Sequence, residues 1–355
     1  MRIMKAVFAF AVCCFVFVLF ISAFALFFET PDKADQFFSA TLRLPSQQEP
    51  ETATLLFVGD IMLDRGVEWQ IHRSPPAGGN DDWTWPFQHI ADFLREADLV
   101  FGNLESQISN TGNNVGSDYS FRADPASIES LVYAGFDVLS VANNHSFDYT
   151  KEALEDSMVR LKKAGISPVG GGLSKQEAYG LVIREVGNAK IGFLAYTNSG
   201  APAWAARDSQ SGVAWVDWDN LEEIIKTIKK ASAQVDILVI SLHAGEEYQT
   251  EPNQFQKTFS QGAIEAGADL LVGHHPHVVQ SLVPHPKGNS AQSSSDQAEL
   301  GWIAYSLGNF LFDQDFSQET MKGAILKLVV EDKKIKEISL LQTRLTPSFQ
   351  VLLEE

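Results

Sequence analysis

The sequence predicts an α/β protein with a sheet flanked by helices. From Thr52 onward, short apolar runs alternate with helical stretches, and this strand–helix–strand succession implies right-handed crossovers. Three predicted helices end in an Ala-Gly pair, a common stop signal: Ala134-Gly135, Ala164-Gly165 and Ala266-Gly267. The composition, with 45% hydrophobic and 20% charged residues, excludes a mainly disordered chain and a coiled-coil rod.

The N-terminus has the pattern of a membrane anchor. Arg2 and Lys5 precede an uncharged stretch, Ala6–Phe28, which is long enough to span a bilayer as a helix. The positive flank places the N-terminus inside and the main domain on the extracytoplasmic side of the cell membrane. A cleaved signal peptide, which would make the protein secreted, is the alternative, because residues 23–25 have the small-x-small form of a cleavage site. The apolar residues 26–28 that follow favour a retained single-pass transmembrane anchor.

A linker, one domain and a tail follow the anchor segment 1–28. Residues 29–51 are polar with three prolines and are predicted to be a linker, residues 52–345 the domain, and residues 346–355 a tail. The predicted strands are Thr54–Val58, Leu99–Gly102, Val138–Ala142, Ile191–Ala195, Ile237–Leu242, Leu270–Val272 and Ile303–Ser306. The predicted helices are Phe87–Arg95, Pro125–Ala134, Lys151–Ala164, Leu221–Ala233 and Asn253–Ala266. A closing hairpin is predicted from Gly323–Glu331 and Lys336–Leu345, and a flexible surface loop over Pro284–Glu299.

Charge and cysteine content exclude several function classes. The chain carries 27 Lys and Arg against 45 Asp and Glu, a net charge of −18, so nucleic acid is not an expected partner. Both cysteines, Cys13 and Cys14, lie in the apolar N-terminal segment. The domain therefore has neither a disulfide framework nor a cysteine nucleophile or zinc knuckle.

Residues of the metal-ligand type follow five predicted strands. In chain order they are Asp60, then Glu105, then Asn144 and His145 with Asp148, then His243, and then His274, His275 and His277. The carboxyl ends of strands are where open α/β sheets bind ligands. Each residue alone has an ordinary alternative role, such as a turn, a helix cap or a buried hydrogen-bonded histidine. Their coincidence after five strands favours one shared site.

The segment His275-Pro276-His277 suggests metal ligation by itself. Two imidazoles spaced this way point to neighbouring positions only if the backbone bends, and Pro276 stiffens such a bend. Imidazole, carboxylate and Asn oxygen form a ligand set for one or two divalent ions such as Mn, Zn or Fe. His274 is expected to support the loop without binding metal.

These motifs resemble the CapA-type capsule-synthesis proteins linked to poly-γ-glutamate, which belong to the calcineurin-like metallophosphoesterase superfamily. The matching segments are Phe57–Met62, Gly102–Glu105, Ala142–His145 with Asp148, His243–Tyr248, Gly273–Val278 and Ser306–Phe310. The resemblance covers about Thr52 to Asp313. It implies a metallophosphoesterase-like two-sheet sandwich with outer helices and a dinuclear metal site at the strand ends.

The resemblance also implies roles for single residues. The implied metal ligands are Asp60, Glu105 as the bridging carboxylate and His277 for the first ion, and Asn144, His243 and His275 for the second. His145 would protonate a leaving group, and Asp148, three residues on, is placed to orient its imidazole.

The sequence departs from the superfamily pattern at two positions. Met62 stands where the first motif has a histidine, and Glu105 stands where the second normally has Asp. One metal position therefore has fewer protein ligands, so the site is mononuclear, weakly occupied or rebuilt for another substrate. Asp64 lies near enough in sequence to substitute.

Several residues next to the motifs are candidates for substrate contact. Glu246 and Tyr248 follow His243 closely and are interpreted as substrate-binding, with a solvated acidic turn as the alternative. Trp204 lies in a stretch that either packs or forms a flap over a substrate. Arg65 either pairs with an anionic substrate or forms a surface salt bridge.

Three functions remain open at this point. The first is a membrane-anchored capsule protein that assists assembly, export or anchoring of an anionic γ-glutamyl polymer, together with membrane synthase or export subunits. The second is a metal-dependent hydrolase of phosphoester or related bonds, with His145 as proton donor. The third is a non-catalytic binding subunit with a degraded metal site, which Met62 favours.

Overall fold

The computed structural model describes residues 52–74, 81–288 and 299–354. In it, helices surround two main β-sheets. The predicted anchor and linker lie outside the described residues. Within those three ranges no helix is both long and apolar enough to cross a membrane.

The strands and helices alternate along most of the chain. In chain order the strands are β1 (Thr52–Ile61), β2 (Leu99–Leu104), β3 (Gln107–Ile108), β4 (Arg122–Ala123), β5 (Val138–Ser140), β6 (Ser167–Val169), β7 (Gly171–Gly172), β8 (Val182–Val186), β9 (Ala189–Thr197), β10 (Gly212–Val213), β11 (Ile237–His243), β12 (Leu270–His274), β13 (Leu282–Pro286), β14 (Leu300–Ala304), β15 (Asn309–Leu311), β16 (Lys322–Glu331), β17 (Lys334–Leu345) and β18 (Val351–Leu353). The α-helices are α1 (Arg65–Arg73), α2 (Ala91–Arg95), α3 (Ile128–Ala134), α4 (Thr150–Lys163), α5 (Lys175–Ala178), α6 (Leu221–Ser232) and α7 (Gln254–Glu265). The α/β class predicted from the sequence is confirmed, and each of the predicted strands has a counterpart.

The two main sheets have mixed pairing. The first runs in the order β18-β17-β16-β1-β2-β5-β6, with β15 pairing in parallel with the end of β1. The second runs in the order β13-β14-β12-β11-β9-β8. The central strands β1, β2, β5 and β6 are parallel to one another, and so are β9, β11, β12 and β14. Their carboxyl ends therefore lie at one edge of each sheet.

The core lies between the sheets and beneath the helices. Phe101 of β2 stacks on Phe193 of β9 with ring centroids 5.7 Å apart, which joins the inner faces of the two sheets. The outer face of the second sheet packs against α6 and α7, which bury Ile228 and Phe259. Apolar residues four positions apart, such as Ile224 and Ile228, give α6 one apolar side that faces the core.

An aspartate stands immediately before four of the parallel strands. The backbone N–H of each donates to a carbonyl of the neighbouring strand, and its carboxylate accepts the N–H of that same neighbouring residue. The pairs are Asp98 with Thr54, Asp137 with Val100, Asp236 with Lys190 and Asp269 with Leu238, with carboxylate distances of 2.7, 2.9, 2.8 and 2.8 Å. The two hydrogen bonds of each pair close a ring, and these rings align the amino ends of neighbouring parallel strands.

One predicted helix in the N-terminal half differs from the structure. The predicted helix Phe87–Arg95 divides into a 3₁₀ turn, Trp85–Phe87, and the short helix α2. Ile90, which lies between the two, has a φ of −123°, and this angle is outside the helical range. By contrast, Gly135, Gly165 and Gly267 all have left-handed φ angles just after helices, as their predicted stop role requires.

The C-terminal region is more regular than predicted. The hairpin forms between β16 and β17, and Asp332 and Lys333 have φ of 49° and 65°, as a two-residue type I′ turn requires. Residues 346–355 are not a separate tail, because β18 pairs with β17 and buries Val351. The start of the predicted loop Pro284–Glu299 is strand β13, an edge position that tolerates proline, and residues 289–298 lie outside the described residues.

Candidate metal centre

The carboxyl ends of five strands and the segments that follow them carry the polar side chains of the site. Asp60 is the penultimate residue of β1, Glu105 directly follows β2, and His243 ends β11. The segment after β5 supplies Asn144, His145 and Asp148, and the segment after β12 supplies His275 and His277. Parallel strands end at a common edge, and the packed sheets bring these two edges together. All of these side chains except the half-buried Asn144 are buried.

Glu105 lies at the centre of the cluster. Its Oε1 is 3.7 Å from Nε2 of His277, 3.8 Å from Nε2 of His243 and 3.9 Å from Nε2 of His145. This oxygen is buried and accepts no hydrogen bond from the residues the structure describes. Burial, with the negative charges of Asp60 and Glu247, raises the pKa of Glu105 well above its ordinary value. Such an orphaned carboxylate oxygen among imidazoles calls for a positive charge.

Asp60 is fully buried and lies beside His274 and His277. Its Oδ1 lies 3.3 Å from Nδ1 of His274, and its Oδ2 lies 3.5 Å from Nδ1 of His277 and accepts the backbone N–H of His275 at 3.1 Å. Burial alone would raise the pKa of Asp60, but the imidazoles of His274 and His277 outweigh it and hold the pKa well below its ordinary value. Asp60 is therefore an ionised carboxylate in the centre.

The side chain of Asn103 joins the carboxylates to His243. Its Nδ2 lies 2.9 Å from Oδ1 of Asp60, 3.3 Å from Oε2 of Glu105 and 3.2 Å from Nδ1 of His243. Nε2 of His243 lies 2.6 Å from Oδ1 of Asn144. Burial and the neighbouring His275 lower the pKa of His243 well below its ordinary value, so its imidazole is neutral and able to bind metal.

A strained turn orients His275 and His277. Both have left-handed φ angles, 96° and 58°, on either side of Pro276, and such angles are uncommon for residues other than glycine. Burial, with the charge of His277, lowers the pKa of His275 to about 3. Nδ1 of His277 lies 2.9 Å from Oδ1 of the buried Asn309. The bend therefore directs both rings toward the carboxylates, and Asn309 holds one of them.

His145 and Asp148 form a hydrogen-bonded pair at the edge of the cluster. Nδ1 of His145 lies 2.6 Å from Oδ2 of Asp148, which also accepts the backbone N–H of Phe121 at 2.8 Å. With Nδ1 held by a carboxylate, Nε2 of His145 faces Glu105 and the open space above it. This is the arrangement of a histidine whose orientation is set for proton transfer at Nε2.

The donor atoms fit a divalent cation. Two overlapping groups of acidic and imidazole atoms lie close enough to bind one ion each, and both contain Glu105: Asp60, Glu105 and His243, and Glu105, His275 and His277. Ligand atoms about 2.1 Å from one ion lie roughly 3–4 Å apart, which agrees with the separations around Glu105. Glu105 is the one residue common to both groups. In these groups Asp60 lies with His243, and His275 lies with His277. The family resemblance implied a different division, with Asp60 and His277 on one ion and His243 and His275 on the other.

Met62 stands where the superfamily pattern has a histidine ligand, and Asp64 is the residue that lies near enough in sequence to replace that ligand. Met62 is fully buried, and its sulfur accepts the backbone N–H of Asp64 at 3.1 Å. Asp64 caps helix α1, since its carboxylate accepts the backbone N–H of Arg65 and that of Arg122, both at 2.7 Å. Asp64 is thus used for capping and does not take the place of the histidine.

A cavity of about 560 Å³ lies above the cluster. Asn144, His145 and His277 form part of its wall, so the proposed proton donor and the metal ligands face the same space. Aromatic side chains surround the opening, and Tyr119 and Phe316 are 66% and 63% exposed there. The cavity therefore has room for a substrate of several linked groups to reach the cluster of polar side chains.

The two predicted substrate-binding residues are placed differently. Tyr248 lines the cavity, with a left-handed φ of 63°, and burial and Glu247 raise its pKa. Glu246 is exposed and does not line the cavity, where Glu247 does instead. Trp204 also lines the cavity and stacks on Phe147 with ring centroids 5.3 Å apart.

Two buried amides of the site, Asn103 and Asn309, were not among the predicted site residues. Asn103 stands two positions before Glu105 in an extended segment, so both side chains point to the same face of the sheet. This period of two was a usable signal for Asn103. Asn309 lies in the distant segment β15, and no local pattern connects it with His277.

Comparison with known proteins gives a consistent result. Residues 54–314 match the family described as bacterial capsule synthesis protein PGA_cap. The chain is 30% identical to the capsule biosynthesis protein CapA of Bacillus anthracis over 290 residues, which are 80% of this chain and 66% of that protein. It is 32% identical to the PGA biosynthesis protein CapA of Bacillus subtilis over 265 residues, 74% of this chain and 64% of that protein. The chain thus spans just under two thirds of the length of these two relatives.

More distant similarities were also found. A probable polyglutamine synthesis accessory protein of Mycobacterium tuberculosis is 28% identical over 266 residues, which are 64% of this chain and 69% of that protein. Among solved structures, the NAD nucleotidase of Haemophilus influenzae aligns with a TM-score of 0.45 and 10% identity over 86% of this chain and 60% of that one. The TT1561 protein of Thermus thermophilus aligns with a TM-score of 0.39 and 8% identity over 81% and 99% of the two chains. These two structural scores are too low to support an inference about function.

Proposed function

The chain belongs to the bacterial capsule synthesis protein family PGA_cap, and on this premise we propose that it acts in the synthesis of an extracytoplasmic, anionic capsule polymer of the poly-γ-glutamate type. The family match over residues 54–314 and the names of the two Bacillus relatives support this role. Assembly, export or anchoring of the polymer is the step in which the protein takes part.

We place the domain outside the cell membrane and tether it by the apolar segment Ala6–Phe28. The support is the sequence pattern, with Arg2 and Lys5 before an uncharged stretch of membrane-spanning length. A tethered domain of this kind works beside membrane synthase or export subunits, which are its proposed partners. Proteolysis of intact and opened cells tests the topology, because an extracytoplasmic domain is digested in both.

The proposed site binds a divalent metal in a metallophosphoesterase-like sandwich. Asp60, Glu105, Asn144, His243, His275 and His277 are the residues proposed to hold one or two ions. The orphaned Oε1 of Glu105, with three imidazole Nε2 atoms within 3.9 Å, is the observation that carries this proposal. A bound divalent ion would supply Lewis-acid polarisation of a carbonyl or phosphoryl oxygen.

The chain's own residues then position a substrate and move a proton. Nε2 of His145 faces the cavity and donates a proton to the leaving group, while Asp148 holds Nδ1 and so fixes the orientation of the imidazole. Asn103 fixes both carboxylates and His243 relative to one another. Burial of the cluster excludes water from these contacts and strengthens them.

Metal analysis of three variants tests the division of roles. Replacing His277 or His275 by alanine removes a metal–nitrogen bond, so bound metal falls. His145→Ala keeps metal near the wild-type content but fails to restore polymer production in a capsule-deficient host. Equal metal loss in His145→Ala and His277→Ala would refute the assignment, and normal polymer production by both would refute the function.

A metal-dependent hydrolase of phosphoester or related bonds is the second candidate. The His145–Asp148 pair on the cavity wall favours it, because a binding subunit has no need of an oriented proton donor. Turnover of bis(p-nitrophenyl) phosphate by the purified chain, falling about 10²–10⁴-fold in His145→Ala, would support hydrolysis. No turnover, with metal bound, would favour the binding role that Met62 suggests.

A further inference from the structure

The wall of the cavity contains one strongly basic side chain. Among the described residues that line it, Arg65 is the only lysine or arginine, whereas Asp148, Glu247 and Asp313 are acidic. An anionic substrate entering this space is repelled by those carboxylates. Apart from a metal ion and the histidines, Arg65 is therefore the attractive group available to it.

Arg65 is held rigidly in place. Its Nε donates to Oδ2 of Asp313 at 3.1 Å, and its Nη2 contacts the other oxygen of the same carboxylate. Asp313 Oδ2 also accepts the backbone N–H of Gly66 at 2.9 Å. The φ of Arg65 is 51°, an uncommon left-handed angle for a residue with a side chain. This contact with Asp313 uses one edge of the guanidinium, and Nη1 makes no hydrogen bond to the described residues.

The guanidinium lies one ring away from the proposed proton donor. It sits 4.7 Å from the centre of the Phe121 ring, which stacks on the imidazole of His145 at 4.0 Å with an angle of 29°. Arg65, Phe121 and His145 thus form three layers along the cavity wall. A substrate group bound by the free edge of Arg65 therefore lies on the same wall as His145, separated from it by the ring of Phe121.

We propose that Arg65 binds a carboxylate of the substrate and thereby selects γ-glutamyl chains, which carry one free α-carboxylate per residue. The proposal rests on the proposed function, because it takes the γ-glutamyl polymer as the substrate class. Asp313 fixes the guanidinium plane, so little side-chain entropy is lost when the carboxylate binds.

Titration calorimetry on the full-length chain loaded with Mn²⁺ tests this assignment. The probes are tri-γ-glutamate and the same trimer with its α-carboxylates converted to carboxamides. Wild type should bind the carboxylate trimer about 10–100-fold more tightly, the range expected for hydrogen bonds to a charged group. Arg65→Met should lose this preference while its metal content stays unchanged.

Arg95→Met is the matched control. Arg95 also pairs with an aspartate, Asp92, and its guanidinium lies 4.9 Å from the ring of Tyr133, but it does not line the cavity. It should keep the wild-type preference. Arg65→Lys, which retains a cation without the planar fork, covers the case in which Arg65→Met does not fold, and it should show a reduced preference.

The outcomes separate the two proposals. If Arg65→Met or Arg65→Lys keeps the full preference for the carboxylate trimer, the role of Arg65 is refuted and the proposed function stands. If wild type binds neither trimer, the γ-glutamyl substrate itself is refuted, and with it the role of Arg65. If Arg95→Met loses the preference for the carboxylate trimer to the same extent, the role of Arg65 is also refuted. The loss would then come from the change in net charge of the protein and not from the position of Arg65.

Discussion

The orientation of the buried side-chain amide of Asn309 determines which nitrogen of His277 faces the proposed metal centre. Nδ2 of Asn309 donates to Oε1 of Gln314 at 3.0 Å and to the backbone carbonyl of Thr320 at 2.9 Å. A carbonyl only accepts, so the amide has its Oδ1 toward His277 and accepts from Nδ1–H. This leaves the lone pair of Nε2 free on the side of Glu105. Asn309 thus selects the tautomer of His277 that can bind metal.

Asn309→Leu should weaken metal binding about 10–100-fold, the usual effect of removing a group that orients a ligand histidine. Competition with a chelator on the purified chain measures the change. Gln314→Ala is the control, since the carbonyl of Thr320 still orients the amide, and its affinity should stay near wild type. Unchanged affinity in Asn309→Leu would show that the amide is only structural.

His72 is a histidine outside the site whose pKa we predict to be raised. Its Nδ1 lies 3.0 Å from Asp81 and its Nε2 lies 3.3 Å from Glu68. The hydrogen bond to Asp81, aided by Glu68, raises the pKa of His72 against the opposing effect of its small burial. The stabilisation from this raised pKa is fully present below the ordinary value of about 6.5, and it is lost as pH rises through the raised pKa.

An NMR titration of the histidine ring protons checks this pKa. His72 should titrate above about 6.5, and Asp81→Asn should move the titration down. High salt should reduce the difference, because both partners are partly exposed. A wild-type value at or below about 6.5 would contradict the ion pairs.

At the scale of elements, the aspartates before the strands set how neighbouring parallel strands align. Asp137 is half-buried, and it satisfies both backbone groups of Val100. Asp137→Ala leaves the N–H of the buried Val100 without a partner, which costs roughly 1–3 kcal/mol. Urea unfolding measures this loss of free energy of unfolding.

Two further variants separate the hydrogen bond from the charge of Asp137. Asp137→Asn keeps an acceptor and should lose less than the alanine variant. Arg184→Met removes the partner 3.5 Å away and should change the free energy of unfolding by at most about 0.5 kcal/mol, since the pair is partly exposed. Asp137→Asn as unstable as Asp137→Ala would show that charge, not the acceptor, matters.

For the whole molecule, we predict that residues 52–355 fold without the first 51. The described residues from Ala53 onward form two extensive hydrophobic clusters of buried side chains. The apolar stretch Ala6–Phe28 has no polar face, as expected for a segment surrounded by lipid. The truncated chain should be soluble and melt cooperatively, whereas the full chain should sediment with membranes. An insoluble truncated chain would contradict this separation.

Local sequence patterns were sufficient to predict the α/β class, the strands and the polar residues that follow them. Short apolar runs bounded by polar turns depend on local burial, and the strands they predicted are present. Helix ends followed from Gly135, Gly165 and Gly267 because their left-handed φ is a local requirement. The pattern of Asp before strands was also visible in the sequence, but its meaning depends on a neighbouring strand.

The contacts between distant side chains, in contrast, could not be predicted from local patterns. The contact of Arg65 with Asp313 joins positions 248 residues apart, and that of His275 with Asp60 joins positions 215 apart. Glu247 lines the cavity in place of Glu246 because of the turn after His243. The amide of Asn309 is oriented by a carbonyl from another loop. Such contacts depend on strand order, sheet packing and rotamers, and a local sequence pattern contains none of these.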